Sequence, residues 1–256
     1  MLASHKKQYH IGVGKGEVGR YCLRPGDPGR CEKIAAYFDE PVHVGMNREY
    51  NIWNGKLCGE TVTVCSTGIG GPSTAIAVEE LYACGADTFI RIGTCGGIEL
   101  DVCSGDVVIA TGAVRQDGTS REYAPMEFPA VATPDVLFPL IEAARELELP
   151  YHAGVVQSKD SFYGQHSPQR MPTSRELEAK WEAWKRLHVL ASEMEAATLF
   201  TVGASLGVST GAVFMSVWNQ ERFLSGLDTD GQEEHDTDRA IRTAILAIKK
   251  IIAGGR

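Results

Sequence analysis

Two short stretches of the sequence combine arginine with glycine, and that combination suits a bound anion. The first, PGDPGR at 25–30, precedes a helical-looking run, for which Asp27 is a good N-cap and Pro28 a good first residue. A capped helix start is sufficient to explain it. An anion site is the alternative, because Gly26 lets the backbone come close, the helix start offers free N–H groups, and Arg30 adds a rigid fork of donors.

The second stretch, TFIRIGTCGG at 88–97, places Arg91 inside an apolar strand. Burying an arginine is costly unless its charge is paired, so a structural salt bridge is one interpretation. The other is that the strand ends in a glycine-rich turn at 93–97, where Arg91 and Thr94 form a small oxyanion pocket, because ligands of parallel sheets bind beyond the carboxyl ends of strands. A second glycine turn, STGIGGPS, also follows a predicted strand and opens a helix. The two arginine–glycine elements together favour an anion site.

Two further motifs suggest a sugar-binding carboxylate and a pocket for a planar ring. In SEMEAATLF, Ser192 and Glu195 fit a capping box. The helix behind them is apolar nearly all round, so the two carboxylates at its start, Glu193 and Glu195, are expected to face a protected cavity. A carboxylate there can accept both hydroxyls of a ribose. In DSFYGQHSPQR a solvated surface loop is one interpretation. The other is a base pocket, in which Phe162 stacks on a heterocycle while Gln165 and Arg170 meet its carbonyl and N–H groups.

Composition argues against several classes of protein. The chain has 256 residues, and its net charge of -8 comes without a lysine or arginine run, which disfavours nucleic acid and anionic membranes as partners. Seven cysteines without a C-x-x-C pair predict reduced thiols, and no apolar run is long enough for a bilayer or a signal core. We therefore expect a cytoplasmic protein. The motif GKGEVG at 14–19 matches the dinucleotide pattern, but no helix opens through it, so it predicts a turn.

Short β-branched runs alternate with amphipathic stretches along the chain. Strands are predicted at 61–66, 88–93, 106–114, 153–158 and 208–218. Helices are predicted at 72–84, 134–147, 174–186, 193–206 and 235–253, with a polar loop at 160–173. This alternation favours a largely parallel sheet with helices on both faces. Because no repeat, linker or composition break interrupts it, we expect one α/β domain over 1–256.

Taken together, the motifs resemble the nucleoside phosphorylase family and, within it, the branch that cleaves uridine. The resemblance covers nearly the whole chain and rests on PGDPGR, STGIGGPSTAIAVEEL, FIRIGT, DSFYGQ and SEMEAATL. It implies a three-layer α/β/α fold around a distorted mixed sheet, assembled as trimers or as hexamers of three dimers. The implied activity is reversible phosphorolysis of uridine, and of deoxyuridine, in pyrimidine salvage. Phosphate is then a co-substrate, and no organic cofactor is needed.

The resemblance also implies roles for individual residues. The phosphate ligands are Gly26, Arg30, Arg91 and Thr94, with Arg48 reaching over from a neighbouring subunit. The ribose ligands are Met194 and Glu195, with His10 from the neighbour. The base ligands are Cys95, Gly96, Phe162, Gln165 and Arg170. The residues with catalytic roles are Arg30, Arg91, Thr94, Gln165 and Glu195. A potassium ion at a dimer interface is held by Glu49, Ile69 and Ser73.

Three other functions stay open: a purine nucleoside phosphorylase, a nucleosidase of the same fold, and a noncatalytic nucleoside-binding protein. A purine enzyme of this family uses an acid after the strand near 213–218 to protonate its base, and Asn219 stands there instead. A nucleosidase has no use for three arginines around a phosphate. The expected lid, NQERF at 219–223, carries Arg222 as a further candidate for the base.

Overall fold

A ten-stranded mixed sheet forms the centre of the protein, whose computed structural model describes residues 7–229 and 233–255. The strands are β1 (Tyr21–Pro25), β2 (Asp39–Asn47), β3 (Tyr50–Leu57), β4 (Glu60–Cys65), β5 (Thr88–Gly97), β6 (Val107–Gln116), β7 (Ala130–Val131), β8 (Tyr151–Lys159), β9 (Ala191–Glu193) and β10 (Ser209–Asn219). Their order is β10-β6-β8-β9-β5-β1-β4-β3-β2, with β7 beside β6. Because β10 also pairs with β5, the strands β5, β10, β6, β8 and β9 close into a ring, which is the distortion of the sheet.

The described residues form nine α-helices around this sheet. They are α1 (Arg30–Ala35), α2 (Gly71–Cys84), α3 (Thr119–Tyr123), α4 (Pro134–Glu146), α5 (Phe162–His166), α6 (Ser174–Arg186), α7 (Ala196–Leu206), α8 (Gln220–Leu224) and α9 (Asp238–Ala253). A 3₁₀ turn at Pro168–Arg170 connects α5 to α6. Proline in the first turn of α2 and α4 costs no hydrogen bond, and Gly85 ends α2 at a φ of 115°.

Helices cover both faces of the sheet and bury two separate apolar clusters. One cluster packs α2 and α7 against the sheet, and the other packs α1, α4 and α9 against the opposite face. Successive residues of β5 supply the two clusters in turn, Phe89 to the first and Ile90 to the second, because strand side chains alternate in direction. The three-layer α/β/α arrangement predicted from the sequence is confirmed.

Three local expectations are wrong. The sheet is not largely parallel, because β2–β3, β3–β4, β5–β9, β6–β7 and β6–β10 are antiparallel pairs. The predicted turn at 93–97 is strand, since Thr94 pairs with Met215 of β10 and Gly96 with Ser192 of β9. The predicted loop at 160–173 contains α5 and the 3₁₀ turn. Strand directions and the 93–97 segment depend on pairing partners that are distant in sequence. The 160–173 segment depends on a local hydrogen-bond pattern.

Candidate active site

A cavity of about 770 Å³ lies where β1, β5, β8, β9 and β10 come together. The residues in its wall that the sequence predicts as ligands are Gly26, Arg30, Arg91, Thr94, Cys95, Gly96, Phe162, Gln165, Met194 and Glu195. The wall also contains Ile69, predicted as a cation ligand, and Glu193, one of the two carboxylates expected at the start of the helix. The sequence gave no ligand role to the wall residues Asp27, Pro28, Gly68, Lys159, His166, Ser192, Val217, Trp218 and Glu233. A cavity of this size accommodates a small organic ligand.

Arg91 is buried and makes two ion pairs within the wall of the cavity. Its Nε donates to Glu193 Oε2 at 3.0 Å, and its Nη2 pairs with Glu195 Oε2. Its Nη1 is also buried, but among the described residues it has no hydrogen-bond partner. Arg91 is therefore both a structural salt bridge and a cation with one donor left for a ligand. The salt bridge predicted for Arg91 is confirmed, and the oxyanion pocket stays a prediction.

The carboxylate of Glu193, rather than Ser192, satisfies the start of α7. It accepts the backbone N–H of Glu195 at 2.9 Å and that of Ala196 at 3.0 Å, and Ser158 donates to its Oε1. The capping box expected from Ser192 and Glu195 is therefore wrong. The helix begins later than predicted, because β9 occupies 191–193.

Glu195 lies between the ion pair and the glycine loop before α2. The backbone N–H of Gly70 donates to its Oε1 at 2.6 Å, while its Oε2 pairs with Arg91. Burial raises the pKa of Glu195, Arg91 opposes that rise, and Glu193 adds to it. The side chain is thus held at the cavity wall, where a carboxylate can accept hydroxyl groups.

The two glycine loops contact each other beside Arg30. The backbone N–H of Gly68 donates to the carbonyl of Gly26 at 3.0 Å, and a Cβ on Gly26 would lie 3.3 Å from the carbonyl oxygen of Gly68. Asp27 accepts the N–H of Gly29 at 2.9 Å, and α1 begins at Arg30 with Gly29 as its N-cap. The expectation that Asp27 caps the helix and Pro28 begins it is therefore wrong. Burial lowers the pKa of Arg30, Asp27 opposes the shift, and the charge of Arg91 adds to it. Arg30 and Arg91 therefore form one positive end of the cavity.

The other end of the cavity combines aromatic and amide groups. The rings of Phe162 and His166 lie 4.3 Å apart between centroids. Gln165 Oε1 accepts from the hydroxyl of Ser192 at 2.6 Å, and that hydroxyl accepts from Lys159 Nζ, also at 2.6 Å. Burial lowers the pKa of Lys159 to about 8, and the charges of Glu193 and Glu195 oppose the shift. The one sequence signal for Lys159 was its position at the end of a buried strand.

Several candidates from the sequence lie outside this cavity. The guanidinium of Arg170 is exposed and lies over the ring of Tyr163, 5.6 Å from its centroid. Arg222 pairs with Asp228 at 2.8 Å. Asn219 is fully buried and donates to the carbonyls of Glu99 and Val102 at 2.7 and 2.9 Å. Its side-chain oxygen caps α8, so Asn219 is a structural residue and gives no information about the base.

His10 and Arg48 lie close to each other but are not part of the cavity wall. His10 Nδ1 is 2.6 Å from Glu80 Oε1, and its carbonyl accepts from Asn47 at 2.7 Å. Arg48 is exposed at the tip of the β2–β3 hairpin, with a φ of 54°. A positive φ is unfavourable for arginine, and the two-residue turn between Asn47 and Tyr50 accounts for it here. Neither residue lines the cavity of its own chain.

The three candidate ligands of a cation lie next to one another. A Cβ on Gly68 would lie 2.9 Å from Cγ of Glu49 and 3.5 Å from Ser73 Oγ. Ser73 Oγ also lies 3.3 Å from the carbonyl oxygen of Ile69. Within 7–229 and 233–255, no group of three or more His, Cys, Asp or Glu side chains could hold a metal ion, and no helix is long and apolar enough to cross a membrane.

Comparison with known proteins gives consistent matches over nearly the whole chain. The model of the family described as Phosphorylase superfamily matches residues 20–253. A uridine phosphorylase of Treponema pallidum is 53% identical over 245 residues, 96% of this chain and 94% of the relative. A uridine phosphorylase of Salmonella typhimurium is 40% identical over 250 residues, 95% and 98% of the two chains. A guanosine phosphorylase of Halorubrum lacusprofundi is 39% identical over 247 residues, 94% and 98%.

Proposed function

Because the chain belongs to the phosphorylase superfamily, we propose that it catalyses the reversible phosphorolysis of uridine, and of deoxyuridine, to uracil and the corresponding sugar 1-phosphate. The observation that carries this proposal is the arrangement around Arg91. Two carboxylates hold the guanidinium from one side, while its buried Nη1 has no partner among the described residues. That arrangement supplies a hydrogen-bond donor for a bound anion directly beside Glu195, whose carboxylate can bind a diol.

In the proposed reaction, phosphate is held at the positive end of the cavity by Arg30, Arg91 and Thr94. The C1′–N1 bond of the nucleoside breaks first, and its electron pair leaves with the base. Phosphate stabilises the resulting oxocarbenium-like sugar, and one of its oxygens then forms the new bond to C1′. The uracil anion takes up a proton from water. Glu195 and Met194 hold the ribose, and positioning of this kind lowers the barrier because little entropy is lost at the moment of reaction.

At the other end, Phe162 stacks on the base and Gln165 donates to a carbonyl oxygen on which negative charge develops. Cys95 and Gly96 form the edge of this pocket. Donors aimed at developing charge in a site closed to water are among the strongest contributions to catalysis. Arg170 stays a prediction as a base ligand, and its contact with Tyr163 does not favour that role.

We also propose that the protein is a homo-oligomer, a hexamer of three dimers, in which His10 and Arg48 complete the site of a neighbouring subunit. The hairpin beside them supports this, since Val42 and Met46 of β2 are each 60% exposed. An apolar strand left open at the edge of a sheet is a site for association. We further propose that the protein acts in the cytoplasm, in pyrimidine salvage.

A potassium ion at the dimer interface is part of the same proposal. Glu49, the carbonyl of Ile69 and Ser73 offer only oxygen atoms, which is the donor type that hard cations prefer. Gly68 carries no side chain, and a Cβ there would crowd Glu49. Three oxygens are fewer than such an ion takes, so the neighbouring subunit would supply three more.

A purine substrate is the second candidate, and one observation favours it: a relative 39% identical to this chain is a guanosine phosphorylase. Uridine is preferred because two relatives with higher identity are uridine phosphorylases, and because Gln165 offers an amide to the carbonyls of uracil.

The test is release of free base from uridine, guanosine and inosine, each measured with and without phosphate at one pH. We expect uracil release that depends on phosphate and yields ribose 1-phosphate, with little cleavage of either purine nucleoside. Faster cleavage of guanosine or inosine than of uridine would overturn the assignment of the base but leave phosphorolysis as the reaction. Release without phosphate would indicate a nucleosidase, and binding without turnover a noncatalytic protein.

A further inference from the structure

We propose that Lys159 is a further catalytic residue of this site: its ammonium donates to a carbonyl oxygen of the departing base and so takes the role that the sequence assigns to an arginine. The inference rests on the proposed phosphorolysis. It concerns a residue at the end of β8, in the cavity wall, to which the sequence analysis gave no role.

The hydrogen bonds of Lys159 determine how the base end of the cavity is oriented. A lysine ammonium only donates, so Ser192 Oγ accepts from Nζ at 2.6 Å. The hydroxyl hydrogen of Ser192 is then free to point to Gln165 Oε1, also at 2.6 Å. Since the amide oxygen is used in this way, the NH₂ group of Gln165 is the part left for a ligand. Lys159 thus turns Gln165 into a donor.

Lys159 also has donors of its own to spare. An ammonium carries three N–H groups, and Ser192 takes one of them. None of the ion pairs formed by the described residues involves Lys159, although Glu193 and Glu195 are close enough for their charges to act on it. Its Nζ is 6.0 Å from the centre of the Phe162 ring, the group proposed to stack on the base. A base on that ring lies within reach of the ammonium.

The charges around Lys159 come from several elements. Glu193 and Glu195, Cys95 of β5 and His166 of α5 act on it or lie beside it. The other charged groups of its cavity are Asp27, Arg30, Arg91 and Glu233, and those beside an adjoining cavity of about 580 Å³ are Asp160, Glu178, Glu182, Lys185 and Glu221. Burial lowers the pKa of Lys159 to about 8 and that of His166 below its ordinary value, and it raises the pKa of Cys95. Neither His166 nor Cys95 is therefore shifted towards pH 8.

The negative charge that develops on the departing base favours a cation at this place. When the C1′–N1 bond breaks, the electron pair passes into the uracil ring and onto its two carbonyl oxygens. Arg30 and Arg91 lie at the phosphate end, and Arg170 and Arg222 lie outside the cavity. Of the Lys and Arg side chains that line the cavity in the described residues, Lys159 is the one beside Phe162 and Gln165.

The test compares wild type with Lys159→Met and Lys159→Gln on uridine and on 5-fluorouridine, whose base leaves more readily as an anion. Lys56→Met is the control, since Lys56 forms an exposed pair with Glu40. We expect Lys159→Met to lower kcat for uridine about 10²-fold, which is typical for the loss of one donor to developing charge. The loss should be smaller for 5-fluorouridine, and KM for phosphate should not change.

The pH profile gives a second readout. We expect the wild-type rate to fall as pH rises through about 8, where the ammonium loses its proton, and this limb to be absent from Lys159→Met and Lys159→Gln. Equal losses on the two nucleosides, a limb that persists, or a raised KM for phosphate would reduce Lys159 to a structural counter-charge for Glu193 and Glu195. If Lys159→Met fails to fold, the polar Lys159→Gln variant carries the same comparison. If the wild-type protein does not cleave uridine, the proposed function is overturned together with the role of Lys159. If the wild-type protein is active, the variants test the role of Lys159 alone.

Discussion

Arg91 makes two internal ion pairs, and this determines what its removal does. Substitution leaves Glu193 and Glu195 buried without their cation, so we expect both the stability and the activity of the protein to fall. Removing one partner of a buried pair typically costs about 3–5 kcal/mol. The effect on activity adds to this, because phosphate loses a charge-assisted contact of about 1.5–3 kcal/mol.

We therefore expect Arg91→Ala to lower phosphate-dependent turnover by about 10- to 10²-fold, the rate equivalent of that contact, and to lower the free energy of unfolding by about 3–5 kcal/mol. Turnover and urea denaturation measure the two effects. Arg20→Ala is the control, because Arg20 forms an exposed pair with Asp87 that contributes at most about 1 kcal/mol. Near-normal turnover by folded Arg91→Ala would remove Arg91 from the phosphate site.

At the residue scale, motifs predicted the ligands that carry recognisable chemistry and missed those that depend on distant partners. Arg30 and Arg91 stand out because arginine beside glycine is informative in a sequence. Lys159 does not, because a lysine at the end of a strand ordinarily lies in water. Its role arises from Ser192, 33 residues further along the chain, which the register of β8 and β9 brings next to it.

At the scale of elements, Asn219 joins three segments at the end of β10. It caps α8 through its side-chain oxygen and binds the carbonyls of Glu99 and Val102 through its NH₂ group. From the sequence, its position alone suggested a role in base choice. The structure assigns its whole hydrogen-bonding capacity to the backbone, which no pattern in the NQERF motif predicts.

We expect Asn219→Asp to destabilise the protein by about 2–5 kcal/mol, because a carboxylate would face two carbonyl oxygens to which it cannot donate. Urea denaturation measures the loss. The half-buried Asn54→Asp is the control, since Asn54 donates to one carbonyl, that of Glu17, and its loss should be smaller. The Asn219→Asp variant should gain no activity on guanosine. Unchanged stability together with new guanosine cleavage would contradict this assignment and return Asn219 to the base site.

Elements with a strong internal period were predicted almost to the residue, and elements defined by pairing were not. Helix α6 was predicted at its observed bounds, Ser174–Arg186, and α9 begins three residues after its predicted start. The β2–β3 hairpin was not predicted, although Val42, Val44 and Met46 of β2 follow the alternation of a strand. These apolar residues are exposed in the structure, so burial within the chain does not account for them. Strand β9 has only three residues, too few for a period to be recognised.

At the scale of the whole molecule, the candidate ligands separate into two surfaces. One set lines the cavity, while His10 and Arg48 lie with the exposed hairpin and do not line the cavity of their own chain. The sequence could suggest this division only through resemblance, because no pattern within one chain reveals a partner subunit.

If His10 serves a neighbour, mixing His10→Ala with Glu195→Ala should restore activity. In a mixed pair of subunits, one site combines an intact Glu195 with an intact His10, so about a quarter of all sites recover after random exchange. The measurement is uridine turnover after the two inactive variants have exchanged subunits. Each variant mixed with itself is the control. Proven exchange without recovery would indicate that each subunit has a self-contained site.

The pair between Arg91 and Glu195 links the two substrates thermodynamically. Phosphate that binds Arg91 weakens the ion pair between Arg91 and Glu195. Ribose hydroxyls that donate to Glu195 weaken the same pair. Each ligand thereby weakens the ion pair that competes with binding of the other ligand, so the coupling free energy between the two is favourable. Linkage makes the effect reciprocal. The dissociation constant of a non-cleavable uridine analogue should fall when phosphate is present, and that of phosphate should fall by the same factor when the analogue is bound.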